Sequence, residues 1–237
     1  MTGGDRLSGS IRRVREGSRV PRRRGVCRGA VLPLMLAAPL CPVPVVRGDP
    51  VPGFVEDWPG TGLHGWVGGS NYSNPGTGGV GGVGDGFLIL SNTLSGHLGT
   101  FSIGPEYAGD WQAAGIAQVR LWLKDVNGRD PLEIHFSLGS RPNLWQYDPG
   151  FAPPDTGWAM FTVDLRDESN WTRVIGTDTF DNALRQVNRV HLRHDLAPCA
   201  QSPDDIVGDM GIDGLQLVSS DVEVLPVSWG RIKRLYR

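Results

Sequence analysis

The sequence predicts an all-β protein built as an antiparallel sandwich. The first observation is alternation: five segments, at 117–126, 132–138, 158–165, 189–194 and 212–218, interleave apolar and polar residues. A period of two sends successive side chains to opposite faces of a strand. The second is punctuation. The chain of 237 residues carries Gly (34) and Pro (18) in turn clusters between these segments, which suits a sandwich and not a helical bundle.

In chain order, the first 28 residues hold Arg6, Arg12, Arg13, Arg15, Arg19, Arg22, Arg23, Arg24 and Arg28 against Asp5 and Glu16. An apolar stretch at 29–46 follows, broken by Pro33, Pro39, Pro42 and Pro44. A basic run before a short apolar stretch describes an export signal over 1–48; the competing reading is a basic disordered arm. The stretch falls short of the roughly 20 apolar residues of a spanning helix, so no transmembrane anchor is expected. Cys27 and Cys41 lie in this region, which leaves Cys199 alone in a mature protein and excludes an internal disulfide there. The expected localisation is extracellular or at the cell surface. A net charge of -2 gives no field that selects nucleic acid.

The sandwich itself is expected over 49–222. Residues 53–58 form a first strand ending in Glu56 and Asp57. A Gly-rich loop at 71–86 lacks the Lys-Ser/Thr and helix of a phosphate cradle and reads as a flexible surface connection. Residues 86–92 and 98–104 read as paired strands, and 165–187 as holding one or two helical turns. Residues 197–211 read as a long acidic loop. Parity places Val119, Leu121, Leu123, Ile134, Phe136, Phe161, Val163, Val190, Leu192, Leu215 and Leu217 in the core.

The order of these pieces resembles a known family. The first strand with Glu56-Asp57, the Gly65-Trp66 pair, the strand at 158–165 and the closing Gly211-Ile212-Asp213-Gly214-Leu215-Gln216-Leu217 resemble bacterial jelly-roll modules. These are the galactose-binding-like sandwiches of laminin B (type IV) domains and carbohydrate-binding modules. The family's usual Asn is Gly214 here. The resemblance implies an antiparallel jelly roll and a structural calcium held by an early acid and the late Asp. Glu56, Asp57 and Asp213 are the expected ligands, with Asp85 as a further hard oxygen donor.

Other constellations compete with plainer readings. Arg120, Trp122, Lys124, Glu133, His135, Ser137, His191 and Arg193 point outward by parity. If their strands share a sheet, Trp122, Arg120, Glu133, His135, His191 and Arg193 form a saccharide-binding surface; otherwise they are a solvated sheet face. Tyr72, Tyr107, Trp111, Trp145, Tyr147 and Trp171 either bind ligand from loops or plug the edges of the core. Glu133 and Asp164 are the only pair worth weighing as glycosidase carboxylates, and no Gly-x-Ser-x-Gly elbow is present. At 223–237, Trp229, Ile232 and Tyr236 line one stripe of a basic amphipathic tail that sorting machinery would recognise; the plainer reading is a frayed terminus.

The function expected from these readings is that of a secreted, non-catalytic module that binds glycans or mediates adhesion. A structural extracellular matrix protein without small ligand is the alternative, and a glycoside hydrolase or lyase comes behind both.

Overall fold

The computed structural model describes residues 49–220 apart from Arg129. The expected export signal at 1–48 and the basic tail at 223–237 therefore lie outside the described residues. Among the described residues, twelve strands make two six-stranded antiparallel sheets packed as a jelly-roll sandwich. In chain order they are β1 (Val55–Glu56), β2 (Val67–Gly68), β3 (Asn71–Ser73), β4 (Leu88–His97), β5 (Gly99–Ser102), β6 (Ile116–Asp125), β7 (Ile134–Ser140), β8 (Asn143–Tyr147), β9 (Ala159–Asp164), β10 (Trp171–Ile175), β11 (Arg189–His194) and β12 (Asp205–Ser219). One sheet runs β3-β4-β12-β6-β9, with β1 also on β12; the other runs β10-β8-β7-β11-β5-β2. We call them the first and the second sheet.

The alternating segments become strands because each can bury one face. On β6, Val119, Leu121 and Leu123 are fully buried while Arg120, Trp122 and Lys124 are not. Ile134, Phe136, Val163, Val190, Leu192, Leu215 and Leu217 join them in the core, and Phe161 is partly buried against it. Each such aliphatic side chain contributes roughly 1.5–3 kcal/mol on burial. The loop aromatics are core plugs: Tyr107 and Trp111 are fully buried, and Trp145, Tyr147 and Trp171 nearly so. Trp111 Nε1 donates to Tyr107 O at 2.7 Å, so the indole closes the sheet edge without an orphaned donor.

Several elements differ from expectation. Residues 86–92 and 98–104 do not pair: β4 belongs to the first sheet and β5 to the second, where β5 lies beside β11. The chain simply crosses between layers at Leu98, whose side chain is fully buried. Half of the expected acidic loop is strand. β12 starts at Asp205 and runs for 15 residues as the central strand between β4 and β6. Neighbours on both edges, and burial through Gly208–Asp213, remove the alternation that marks half-exposed strands.

The Gly-rich loop is a tied turn. Gly79 N donates to Asp85 O, Gly82 N to Gly79 O, and Val80 N to the Asp213 carboxylate at 2.7 Å. A Cβ on Gly79 would come within 2.7 Å of both Asp85 Oδ2 and Asp213 Oδ2, so only glycine fits. The helical turns are a 3-10 turn, Glu168–Asn170, and one short helix α1, Phe180–Arg185, whose Thr179 cap accepts from Asn182 N. Among the described residues no helix is long and apolar enough to cross a membrane, which says nothing of a β-barrel.

Candidate functional site

The outer face of the second sheet carries the densest polar chemistry. Register puts His191 of β11 beside Ser137 of β7 and Phe101 of β5, and Ser137 beside Gln146 of β8. The loop 196–204 folds back over part of this face. Arg193 holds it there, its Nη2 donating to Ala200 O and its Nη1 to Gln201 O. The same guanidinium bonds Gln146 Oε1 through Nε at 2.5 Å and Asp195 Oδ2 through Nη2 at 2.8 Å. Gln146 in turn takes a hydrogen bond from Ser137 and gives one to Asp195 at 2.9 Å. Gln146, Asp195, Ser137 and Arg193 are all buried, so this is a satisfied internal network.

Beside the loop a cavity of about 350 Å³ remains open. Leu144, Ile175 and Pro142 supply apolar walls, and Arg141, Arg189, His191 and Gln201 supply polar groups. The β7–β8 hairpin brings Arg141 there through a two-residue connection, with Ser140 opposite Asn143. A Cβ on Gly139 would meet Asn143 O at 2.4 Å, so the tight hairpin depends on glycine at a φ of 151°. Arg189 lies over Phe101, its guanidinium carbon 4.2 Å from the ring centre. His191 also packs against that ring, with centroids 5.4 Å apart and planes tilted by 30°. Arg189 Nε and His191 Nε2 are buried and have no hydrogen-bond partner among the described residues. Burial, then the positive charges of Arg189, Arg193 and Arg141, pushes His191 down to about 3. The ring is therefore neutral at pH 7 and has one hydrogen-bonding nitrogen to offer.

The six residues expected to bind ligand divide into three groups. His191 alone lines the cavity. Arg193 belongs to the buried network of the same sheet, and His135 of β7 is fully buried, bonded to Tyr147 O and to the partly exposed Glu133 just before that strand. Arg120 and Trp122 are not on this face at all. β6 is a strand of the first sheet, where Trp122 pairs with Met160 and Asp213. The surface drawn from parity alone therefore falls apart, because parity assigns a face and not a sheet. Arg189 was legible: it shares parity with His191 and Arg193 on one strand. Arg141, Gln201 and Phe101 gave no signal, since turn and loop closure bring them in.

Catalytic pairings do not assemble. Glu133 precedes β7 in the second sheet, whereas Asp164 ends β9 in the first and is held by a two-pronged bond from Arg166. Arg166 keeps that carboxyl below the usual carboxylate range. Cys199, His135 and Glu133 follow the order of a thiol, an imidazole and a carboxylate, with Sγ 3.9 Å from Nδ1 and Nε2 3.1 Å from Glu133 Oε1. Yet Nδ1 lies 2.8 Å from the Tyr147 carbonyl, which can only accept, so this nitrogen carries hydrogen and cannot take the thiol proton. Burial also pushes the Cys199 thiol up, away from thiolate.

Two of the expected calcium ligands are engaged by groups of the protein itself. β1 does lie against β12, with Glu56 opposite Leu215. Glu56, however, is buried and bonded to His64 Nδ1 at 2.7 Å, while Asp57 is exposed. Asp213 accepts from Val80 N at Oδ2 and from Gly214 N at Oδ1. Among the described residues no group of three His, Cys, Asp or Glu side chains is placed to hold a metal. Burial raises Asp213 to about 6, helped by the charges of Asp85 and Asp57. Of the acids in the expected loop, Asp204 accepts from Leu196 N and Asp205 pairs with His97.

No protein-family model matches the sequence, and no curated protein matches it either. Solved structures do share the fold. A segment of an exo-beta-agarase is 13% identical over 71% of this chain and 25% of the agarase, with a TM-score of 0.51. The family 11 carbohydrate-binding module of Clostridium thermocellum, solved with a beta-1,3-1,4-mixed-linked tetrasaccharide, is 16% identical over 70% of this chain and 95% of its own, with a TM-score of 0.44. The CBM22-1 xylan-binding domain of Paenibacillus barcinonensis Xyn10C is 13% identical over 71% and 97%, with a TM-score of 0.46.

Proposed function

We propose that the chain is a secreted, non-catalytic module that binds glycans in the cavity between the β7–β8 hairpin and the loop 196–204. One observation carries the reading: Arg189 Nε and His191 Nε2 are buried there without partners among the described residues, beside apolar walls. A buried polar atom left unpaired costs about 1–3 kcal/mol, and a ligand hydroxyl removes that cost. A sugar offers both parts of the match, hydroxyls for the planar guanidinium and imidazole and C–H faces for Leu144, Ile175 and Pro142. Carbohydrate-binding modules recur among the structures compared, and they set the ligand class to test first.

The full chain should bind members of a polysaccharide array, and His191→Ala should weaken each positive by about tenfold, the loss of a ligand hydrogen bond. Trp122→Ala, on the opposite sheet, should bind as the wild type does. An array without positives would favour a structural matrix role. Loss on Trp122→Ala with retention on His191→Ala would move the site to the first sheet.

A further inference from the structure

The cavity carries more positive charge than a neutral sugar can use. Arg141 and Arg189 line it, and among the described residues no Asp or Glu does. Arg193, the third guanidinium acting on His191, is already balanced by Asp195. Arg141 and Arg189 are in none of the ion pairs among the described residues. They also repel each other: the charge of Arg141 adds to burial in making the charged form of Arg189 less favourable. Two like charges kept near one partly desolvated pocket destabilise the unliganded state, and an anion between them reverses the sign of that interaction. Arg189 is further fixed by its stacking on Phe101, so its fork is held in place before ligand arrives.

We infer that the cavity selects an anionic saccharide, whose carboxylate or sulfate sits between Arg141 and Arg189 while a neighbouring hydroxyl meets His191. This rests on the glycan-binding reading and names its substrate class. A guanidinium takes either anion through paired N–H donors, so a uronate carboxylate and a sulfate ester share the required chemistry. Neutral His191 is suited to the hydroxyl and not to the charge.

Calorimetric titration of the full chain tests this with matched pairs. Polygalacturonate is set against its methyl ester, and the sulfated galactan carrageenan against neutral agarose. The inference expects at least one anionic member to bind about tenfold or more tighter than its neutral partner, and the pair that responds identifies the anion as carboxylate or sulfate. Arg141→Gln should then lose most of this preference while keeping the melting temperature, because Arg141 is exposed. Arg189→Lys keeps the charge but not the fork and should lose part of it. Raising salt should weaken the anionic partner and leave the neutral one unchanged. Equal affinity within both pairs, with His191→Ala still weakening them, would overturn the anionic inference and leave glycan binding standing. No binding to any of the four, with an empty array, would remove both.

Discussion

His191 shows what burial does to one side chain in this molecule. Its imidazole is held down to about 3 by burial and by guanidinium groups on its own strand and on the facing β7–β8 hairpin. The unfolded chain protonates a histidine near 6.5, so below that pH the unfolded state binds the extra proton first. The stability due to neutral His191 is therefore whole above about pH 6.5 and is lost as pH falls toward 3. Thermal melts should show the wild type losing more stability between about pH 7 and pH 4 than His191→Leu does. A variant as acid-sensitive as the wild type would mean that His191 is solvated and free to charge. Asp213 runs in the opposite sense, since its raised carboxyl is most favourable when protonated. Both residues were singled out in the sequence as functional groups, His191 as an outward residue by parity and Asp213 as a calcium ligand by resemblance. Their burial was not legible, because it comes from tertiary neighbours, Phe101 of β5 at His191 and the glycine turn at Asp213.

At the scale of elements, the loop 196–204 and the β7–β8 hairpin decide how much of the sheet face is open. The loop is tied down by the ion pair of Arg193 with Asp195, both buried. Removing one partner of a buried pair leaves an uncompensated charge and costs about 3–5 kcal/mol. Asp195→Ala should therefore lower unfolding stability by about that much in denaturant titration, while Arg185→Ala, in an exposed pair, should cost far less. Similar costs for the two would mean that the loop is not held through Arg193. The alternation of 189–194 revealed β11, but nothing in the segment 197–211 separated its loop half from the start of β12. A strand buried on both faces has no period of two to read, and Gly208 and Gly211 look like loop residues until neighbours on either side explain them.

For the whole molecule, the sandwich and most of its core were legible, since a half-buried strand writes its inward face into the sequence. Which strands share a sheet was not. β6 and β7 are consecutive and similar in pattern, yet they lie in opposite layers. That single partition removes Arg120 and Trp122 from the expected surface and gathers Arg141, Phe101, Arg189 and His191 in their place. The central claim is that ligand is held on the second sheet, in the cavity beside the pinned loop. Backbone hydrogen–deuterium exchange of the full chain, with and without a saturating polysaccharide from the array, tests it most directly. The account predicts slowed exchange confined to residues 139–144, 189–193 and the loop around Gln201. Slowing around Trp122 on β6, with the cavity segments unchanged, would contradict it.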